Sequence, residues 1–404
     1  IYPEQIHAPL NEKSISPYIT GRFSLEKKYS KKLDTILQIH VELRAEQTAA
    51  IKLSKRIQDR VIKNLLHNNI EYLDVVKRAG KDMIPVIVLH KYASAPYFEQ
   101  GLKPKYNLNK KSDKNKFEAL LRKTKNLDII DRYEEQLREL FFIKNPHLLF
   151  SGDLDGAAKE YIDNIKTATP LSHHGVWAYI PWLSKVLHIL NEEDYFSVRT
   201  ARNKNLITDT EQFKFYNCTI GIAGLSVGNS VALTLAIQGG AKHLKLADFD
   251  ILELSNLNRI RTGIQSLGLN KAILTARQIY EINPYAVIEI YNKGLSEDNI
   301  APFFKGVDLV IDEVDSLTVK YLIRQYAKKN KVPVVMGTDN GDIAMIDIER
   351  YDLNNKTPLF NGRLKNISKR KLSSKNKLVI ASIIDSLIGK KNTDTRMQSS
   401  ISQI

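Results

Sequence analysis

The sequence predicts a doubly wound α/β domain preceded by an α+β domain, on three observations. From residue 219 to residue 337, short apolar runs alternate with amphipathic segments, the pattern of a parallel sheet with helices on both faces. The first apolar run, Thr219–Ala223, passes at Gly224 into a turn and a helix-like segment, and the next run closes on an acid, Asp248. Before residue 171 that alternation is missing, and helically spaced apolar residues surround a single strand-like run.

Length and composition bound the problem. A chain of 404 residues predicts two or three domains, and 43% hydrophobic residues suffice for their cores. No run of about 18 apolar residues is present, so no membrane span and no membrane partner are expected. The single cysteine, Cys218, excludes an internal disulfide framework and any paired-cysteine zinc site, and cytoplasm is the default compartment. Ile1 stands where a methionine would, with no charged-then-apolar leader. The last residues, 397–404, stop within a helical pattern, so the sequence reads as trimmed, with a further domain expected beyond it.

The net charge of +15 raises the question of nucleic acid. The lysines concentrate in 103–125 and 365–377, interleaved with Asn and Ser and without the aromatic residues of a recognition surface. Lys, Asn and Ile are abundant along the whole chain, so the charge reads as compositional bias and nucleic acid is not expected as a partner.

In chain order, residues 1–32 carry Pro3, Pro9 and Pro17 and read as an extended arm. Helical spacing over 33–79 predicts one or two amphipathic helices, and 83–89 a buried strand. The lysine-rich stretch reads as a loop leading into a helix, and 129–142 as a further amphipathic segment ending before Pro146. Residues 1–171 therefore form the expected N-terminal α+β accessory domain, which either recognises a carboxylate-bearing partner or covers the domain that follows. His173 and His174 are adjacent and would point different ways, a poor metal site. Residues 172–210 read as a connector holding both tryptophans in a strand pair over 175–190. A basic stretch with Arg199 and Arg202 on one side of a helical turn follows.

The 218–258 unit reads as strand, tight turn, helix, strand and acid. Small residues let a backbone approach a phosphate, a helix N-terminus supplies unpaired N–H groups, and an acid about 20 residues on can hold ribose hydroxyls. A strict G-x-G-x-x-G is absent, because Ser226 and Asn229 stand where glycines would follow Gly224. Strands are expected at Val287–Tyr291, 307–312 and 332–337, helices at Lys271–Ile282 and 317–329, and an antiparallel strand at 343–348. Residues 353–404 form a C-terminal extension in which 358–363 reads as a loop near the site mouth and 378–387 as a short apolar segment.

Four motifs follow one another: Asp248-Phe-Asp250, Ser255-Asn-Leu-Asn-Arg259, Leu267-Gly-Leu-Asn-Lys271, and Asp308-Leu-Val-Ile-Asp312-Glu-Val-Asp315. Their order and spacing over 199–352 resemble the ThiF/MoeB/HesA superfamily, the adenylating domain shared with ubiquitin-activating enzymes. The resemblance implies a Rossmann-like adenylating domain over 211–352 that binds ATP with Mg2+ and joins AMP to a carboxylate. It assigns nucleotide binding to Gly224, Ser226, Gly228, Asp248 and Asn256, and the phosphate clamp to Arg259 and Lys271. Asp315 takes the magnesium, with Asp312 as the alternative and a helix cap as the structural role for either. The Arg199/Arg202 stretch resembles one that reaches the triphosphate, in some members from a partner subunit, so a homodimer is expected. The substrate is then a carboxylate, such as the C-terminus of a peptide or small carrier protein.

The chain departs from the superfamily by having no downstream cysteine and no zinc-binding cysteine pairs, so a thioester route is not expected. Two other classes stay open on the residues. An NAD-binding oxidoreductase or sensor fits the opening unit but leaves Arg259, Lys271 and Asp315 unexplained. An inactive scaffold fits the altered glycine turn.

Overall fold

The structure is a computed structural model that describes residues 18–22, 38–44, 50–53, 105–124, 127–150, 152–340, 343–364, 372 and 377–389. It divides into two units, Ile1–Tyr97 and Phe98–Ile404. In the first unit β1 (Tyr18–Arg22), β2 (Gln38–Arg44) and β3 (Ala50–Leu53) form an antiparallel sheet in that order. The helical reading of 33–79 is thereby corrected over 38–44 and 50–53. Ile39, Val41 and Leu43 also recur with a period of two, and β-branched residues settle such an ambiguity toward strand. The rest of that segment and the strand expected at 83–89 lie outside the described residues.

The second unit opens with a four-stranded sheet in the order β4 (Lys105–Tyr106), β6 (Val176–Ile180), β7 (Lys185–Ile189), β5 (Asp128–Asp131). Three helices accompany it: α1 (Lys111–Lys123), α2 (Tyr133–Lys144) and α3 (Leu154–Ala168). The strands β6 and β7 are the expected aromatic pair, antiparallel across a turn at Pro181–Leu183. This sheet draws strands from both sides of residue 171, so the boundary expected there falls inside it rather than between domains. Helices α4 (Glu192–Thr200) and α5 (Asp209–Asn217) follow, the latter started by a capping box between Thr208 and Glu211.

The six-stranded sheet runs β10 (Val287–Tyr291), β9 (His243–Ala247), β8 (Thr219–Ala223), β11 (Leu309–Asp312), β12 (Val334–Asn340), β13 (Ile343–Glu349). The first five are parallel and β13 pairs antiparallel with β12. Chain direction across the sheet reverses between β8 and β11, which opens a crevice at their carboxyl ends. One face packs against α6 (Gly228–Ile237) and α7 (Lys271–Ile282) through Ile222, Leu246, Ala232, Ala272 and Ile279. The other packs against α8 (Ile300–Phe304) and α9 (Leu317–Asn330) through Phe303, Val310, Ile323 and Val334. Ile222 and Leu246 are wholly buried, and each such side chain contributes roughly 1.5–3 kcal/mol. Helix α10 (Lys377–Ile388) places Ile383 and Leu387 against Phe360, so the apolar segment of the C-terminal extension is helical.

Candidate nucleotide site

At the reversal point β8 is followed by Gly224, whose φ of +84 suits glycine. A Cβ there would fall on the backbone of Glu313, just past β11, so the turn is pressed against the neighbouring strand end. Helix α6 then starts at Gly228 behind Val227, which offers no side-chain cap. The N–H groups of its first turn therefore face the crevice end without a capping side chain, the arrangement that binds anions. Gly228 also lets the helix sit close to Ile222, 2.9 Å from where its Cβ would stand.

Asp248 follows β9 and is buried, 7% exposed. Its Oδ2 accepts the N–H of Leu225 at 2.6 Å and its Oδ1 that of Asp250 at 2.8 Å, tying the glycine turn to the adjacent strand end. Burial holds its carboxyl above the ordinary value, against the opposing pull of those N–H groups and of Lys271. Each oxygen keeps a lone pair for a further donor such as a ribose hydroxyl.

Lys271 is the first residue of α7 and is buried, yet its ammonium meets Ser226 Oγ and Asp250 Oδ2, both at 3.0 Å. Its place is set by Asn270, which caps α7 by accepting from the N–H groups of Ala272 and Ile273 at 3.0 and 3.2 Å. The Asn270 amide also donates to the carbonyls of Asp248, Asp250 and Asn292. Asp250 and Asn270, which lie inside the sequence motifs but have no role assigned there, are thus the partners that fix Lys271. The signal for Asn270 was its position directly ahead of an apolar-periodic helix.

Three more of the expected residues lie in the loops at this end of the sheet. Arg259 is exposed at the end of the turn Leu254–Asn258 and donates locally, to Asn258 Oδ1 at 3.0 Å. Asn256 is buried in that turn, where its Oδ1 accepts the N–H of Glu253 at 3.1 Å and shapes the loop. Asp315 is exposed just past β11, and the cap of α9 is Ser316, which relieves Asp315 of that duty.

One expectation is corrected, and another does not hold within a single chain. Asp312 is fully buried in ion pairs with Arg324 and Lys320, which leaves no coordination face for the alternative metal role. Arg199 and Arg202 do not reach the phosphate turn within this chain. Arg199 donates to the carbonyl of Ala236 at 2.5 Å, and Asn203, beside the exposed Arg202, donates to that of Gln238 at 3.0 Å. Both carbonyls lie at the C-terminal end of α6, opposite the glycine turn.

Among the described residues no cluster of three or more His, Cys, Asp or Glu side chains is poised for a metal ion. A magnesium ion on a nucleotide needs only one or two carboxylates beside phosphate and water oxygens, which the exposed Asp315 can meet. Cys218 is half-buried at the end of α5, and burial raises its thiol pKa, the opposite of an activated nucleophile. No helix among the described residues is long and apolar enough to cross a membrane.

Residues 200–389 match the ThiF family. Over 255 residues, 62% of this chain, the sequence is 39% identical to an uncharacterized protein of Mycobacterium tuberculosis (strain CDC 1551 / Oshkosh), covering 32% of that protein. Over 139 residues, 34% of this chain, it is 34% identical to the tRNA threonylcarbamoyladenosine dehydratase of Escherichia coli (strain K12), covering 51% of it. It is also 31% identical over 150 residues, 37% of this chain, to an adenylyltransferase and sulfurtransferase of Eremothecium gossypii, covering 33% of that protein. The chain thus spans from about a third to about half the length of these relatives.

Proposed function

We propose that this chain, which carries a ThiF family domain over residues 200–389, is an ATP-dependent enzyme that adenylates a carboxylate and releases pyrophosphate. The observation that carries the reading is the buried Lys271 ammonium, held by Ser226 and Asp250 beside the uncapped start of α6. A fixed cation at a helix N-terminus suits a triphosphate, whereas hydride transfer from a dinucleotide has no use for it. The names of the dehydratase and the adenylyltransferase among the relatives are in keeping with it.

In the reaction a carboxylate oxygen forms a bond to the α-phosphorus as the bond from that phosphorus to pyrophosphate breaks, leaving an acyl-adenylate. Lys271 would meet the growing negative charge as a fixed point charge, and the exposed Arg259 would add a planar fork. Asp248 takes the ribose hydroxyls on its remaining lone pairs. A magnesium ion held by Asp315 would neutralise phosphate charge when bound. With Cys218 half-buried and its thiol pKa raised, the acyl carbon is attacked directly by an acceptor, or by a nucleophile of the same molecule in a net dehydration, and AMP leaves with the activated oxygen without a thioester.

The carboxylate is the C-terminus of a peptide or small carrier protein, and the working form is a homodimer. Arg202 is exposed at the far end of α6, so in the dimer it would serve the phosphates of the partner subunit rather than those of its own chain. Mixing Arg202→Ala with Lys271→Ala chains tests this, because one site of a mixed dimer regains both groups; no rescue in proven mixed dimers overturns it. The nucleotide reading is tested by thermal shift, with stabilisation by Mg·ATP exceeding that by NAD. Stronger stabilisation by NAD sinks it, and absence of pyrophosphate release with every carboxylate offered favours a binding scaffold.

A further inference from the structure

Behind the nucleotide turn lies a buried ion network that the proposed chemistry does not use. Arg324, on α9, has no exposed surface. Its guanidinium donates to Asp312, the last residue of β11, and through Nε to Glu349 Oε2 at 2.7 Å, the last residue of β13. The ring of Phe360 covers it, 4.4 Å from centroid to guanidinium carbon. A buried ion pair is weak evidence for stability, since desolvation offsets the attraction and an apolar side chain could fill the space. What the charges do supply is fixed geometry.

That geometry leads in two directions. Asp312 Oδ1 accepts the N–H of Val314 at 3.2 Å, and the N–H of Glu313 is bonded to the Ala223 carbonyl at 2.8 Å, so the turn carrying Asp315 and backing Gly224 is set by where Asp312 sits. Glu349 Oε1 accepts the Tyr351 hydroxyl at 2.5 Å and the Phe360 N–H at 2.6 Å. Phe360, Asn361 and Gly362 follow one another with φ of 55, 50 and 81, a left-handed run that costs about 1 kcal/mol or more for each non-glycine residue. Such a turn persists only where its surroundings fasten it, here through Glu349 and through Asp347, which accepts from the Asn361 amide at 2.8 Å.

We propose that Arg324 is a positioning residue for the nucleotide site: it holds the Asp312–Asp315 turn through Asp312 and couples it, through Glu349, to the left-handed turn at Phe360–Gly362. Docking of the 358–363 segment thereby sets the place of the acid that receives magnesium. The inference rests on the reading of Asp315 given above.

The test is calorimetric titration of the full chain with ATP at a series of Mg2+ concentrations. Arg324→Met raises the Mg2+ needed for half-maximal ATP binding by about tenfold or more, in the direction of Asp315→Asn, as loss of an outer support to a metal ligand does. Arg324→Lys, which can reach one of the two carboxylates, recovers part of the shift. Glu349→Gln keeps its oxygen acceptor but weakens the link, and it shifts the Mg2+ requirement in the same direction from a strand two places away. If Arg324→Met does not fold, Glu349→Gln decides. Folded variants with lower melting temperatures and an unchanged Mg2+ requirement overturn the inference, leaving the network a structural one. A wild-type chain that binds no ATP at any Mg2+ concentration overturns the adenylation reading itself and the inference with it.

Discussion

In the four-stranded sheet, the His188 imidazole is enclosed between Tyr133 and Trp177, with ring centroids 4.1 and 4.2 Å away and planes 13° and 9° apart. Its Nδ1 meets Asp131 Oδ1 and its Nε2 the His174 carbonyl, both at 2.9 Å. At the carboxyl ends of the six-stranded sheet, Lys271 and Asp248 are also buried, but they contact Ser226 and Leu225, in the turn that leads to the uncapped start of α6. Burial of polar groups is common to both places. What separates the two is the helix start, whose first N–H groups have no side-chain cap, whereas both ring nitrogens of His188 are engaged.

The sharpest way to break this comparison is to substitute the central residue of each place. Lys271→Ala lowers ATP affinity roughly 100-fold, the scale of losing charge-assisted contacts to phosphate, with the fold retained. Calorimetry on the folded variant checks it, and an affinity within a few-fold of wild type removes Lys271 from the site. His188→Leu costs about 3 kcal/mol of stability by denaturant unfolding, through two lost hydrogen bonds and a stacked ring, and leaves ATP affinity unchanged. Should affinity fall in step with stability, the two sheets are one energetic unit and the distinction fails.

A finer probe is pH. Burial raises the Asp248 carboxyl above 3.8, so the folded chain binds this proton more tightly than the unfolded one. The contribution of this group to stability therefore decreases as pH rises from 3.8 through the folded value. Nucleotide binding runs the other way, because the carboxylate is the better acceptor for ribose hydroxyls, and affinity drops as pH falls through the raised value. Asp248→Asn flattens this dependence, and a slope that survives the substitution assigns it elsewhere. The smallest effect is expected for Cys218→Ala, which keeps ATP–pyrophosphate exchange within a few-fold; loss of exchange in a folded variant would restore the thiol to the mechanism.

The parallel sheet was legible wherever a single period ran cleanly. Strands Thr219–Ala223 and Val287–Tyr291 and helix Lys271–Ile282 have the bounds that the pattern implies. Strand Val334–Asn340 runs past its expected end because it is extended by pairing with Ile343–Glu349, a tertiary effect. Residues 38–44 carry two periods at once, and the helical one was the wrong choice. The residues of the candidate site were legible as a motif, but their partners were not. Nothing local marks Arg324 as buried, since its two carboxylates lie 12 and 25 positions away. Nor could the spacing of Arg199 and Arg202 reveal that the end of α6 they approach is the one remote from the phosphate turn.

The loop between β9 and α7 has a closed base. Leu252 donates to the Leu269 carbonyl at 2.7 Å, Gly268 returns a bond to Leu252 at 2.9 Å, and Asn270 pins both Asp248 and the start of α7. The span from 253 to 267 thus hangs from a fastened frame, with Leu254 and Ile264 exposed on it and Asn256 and Ile260 buried. One of the two cations, Lys271, is built into the frame and the other, Arg259, belongs to the span. A change confined to the exposed positions of that span therefore leaves the Lys271–Asp250 and Asp248–Leu225 contacts in place.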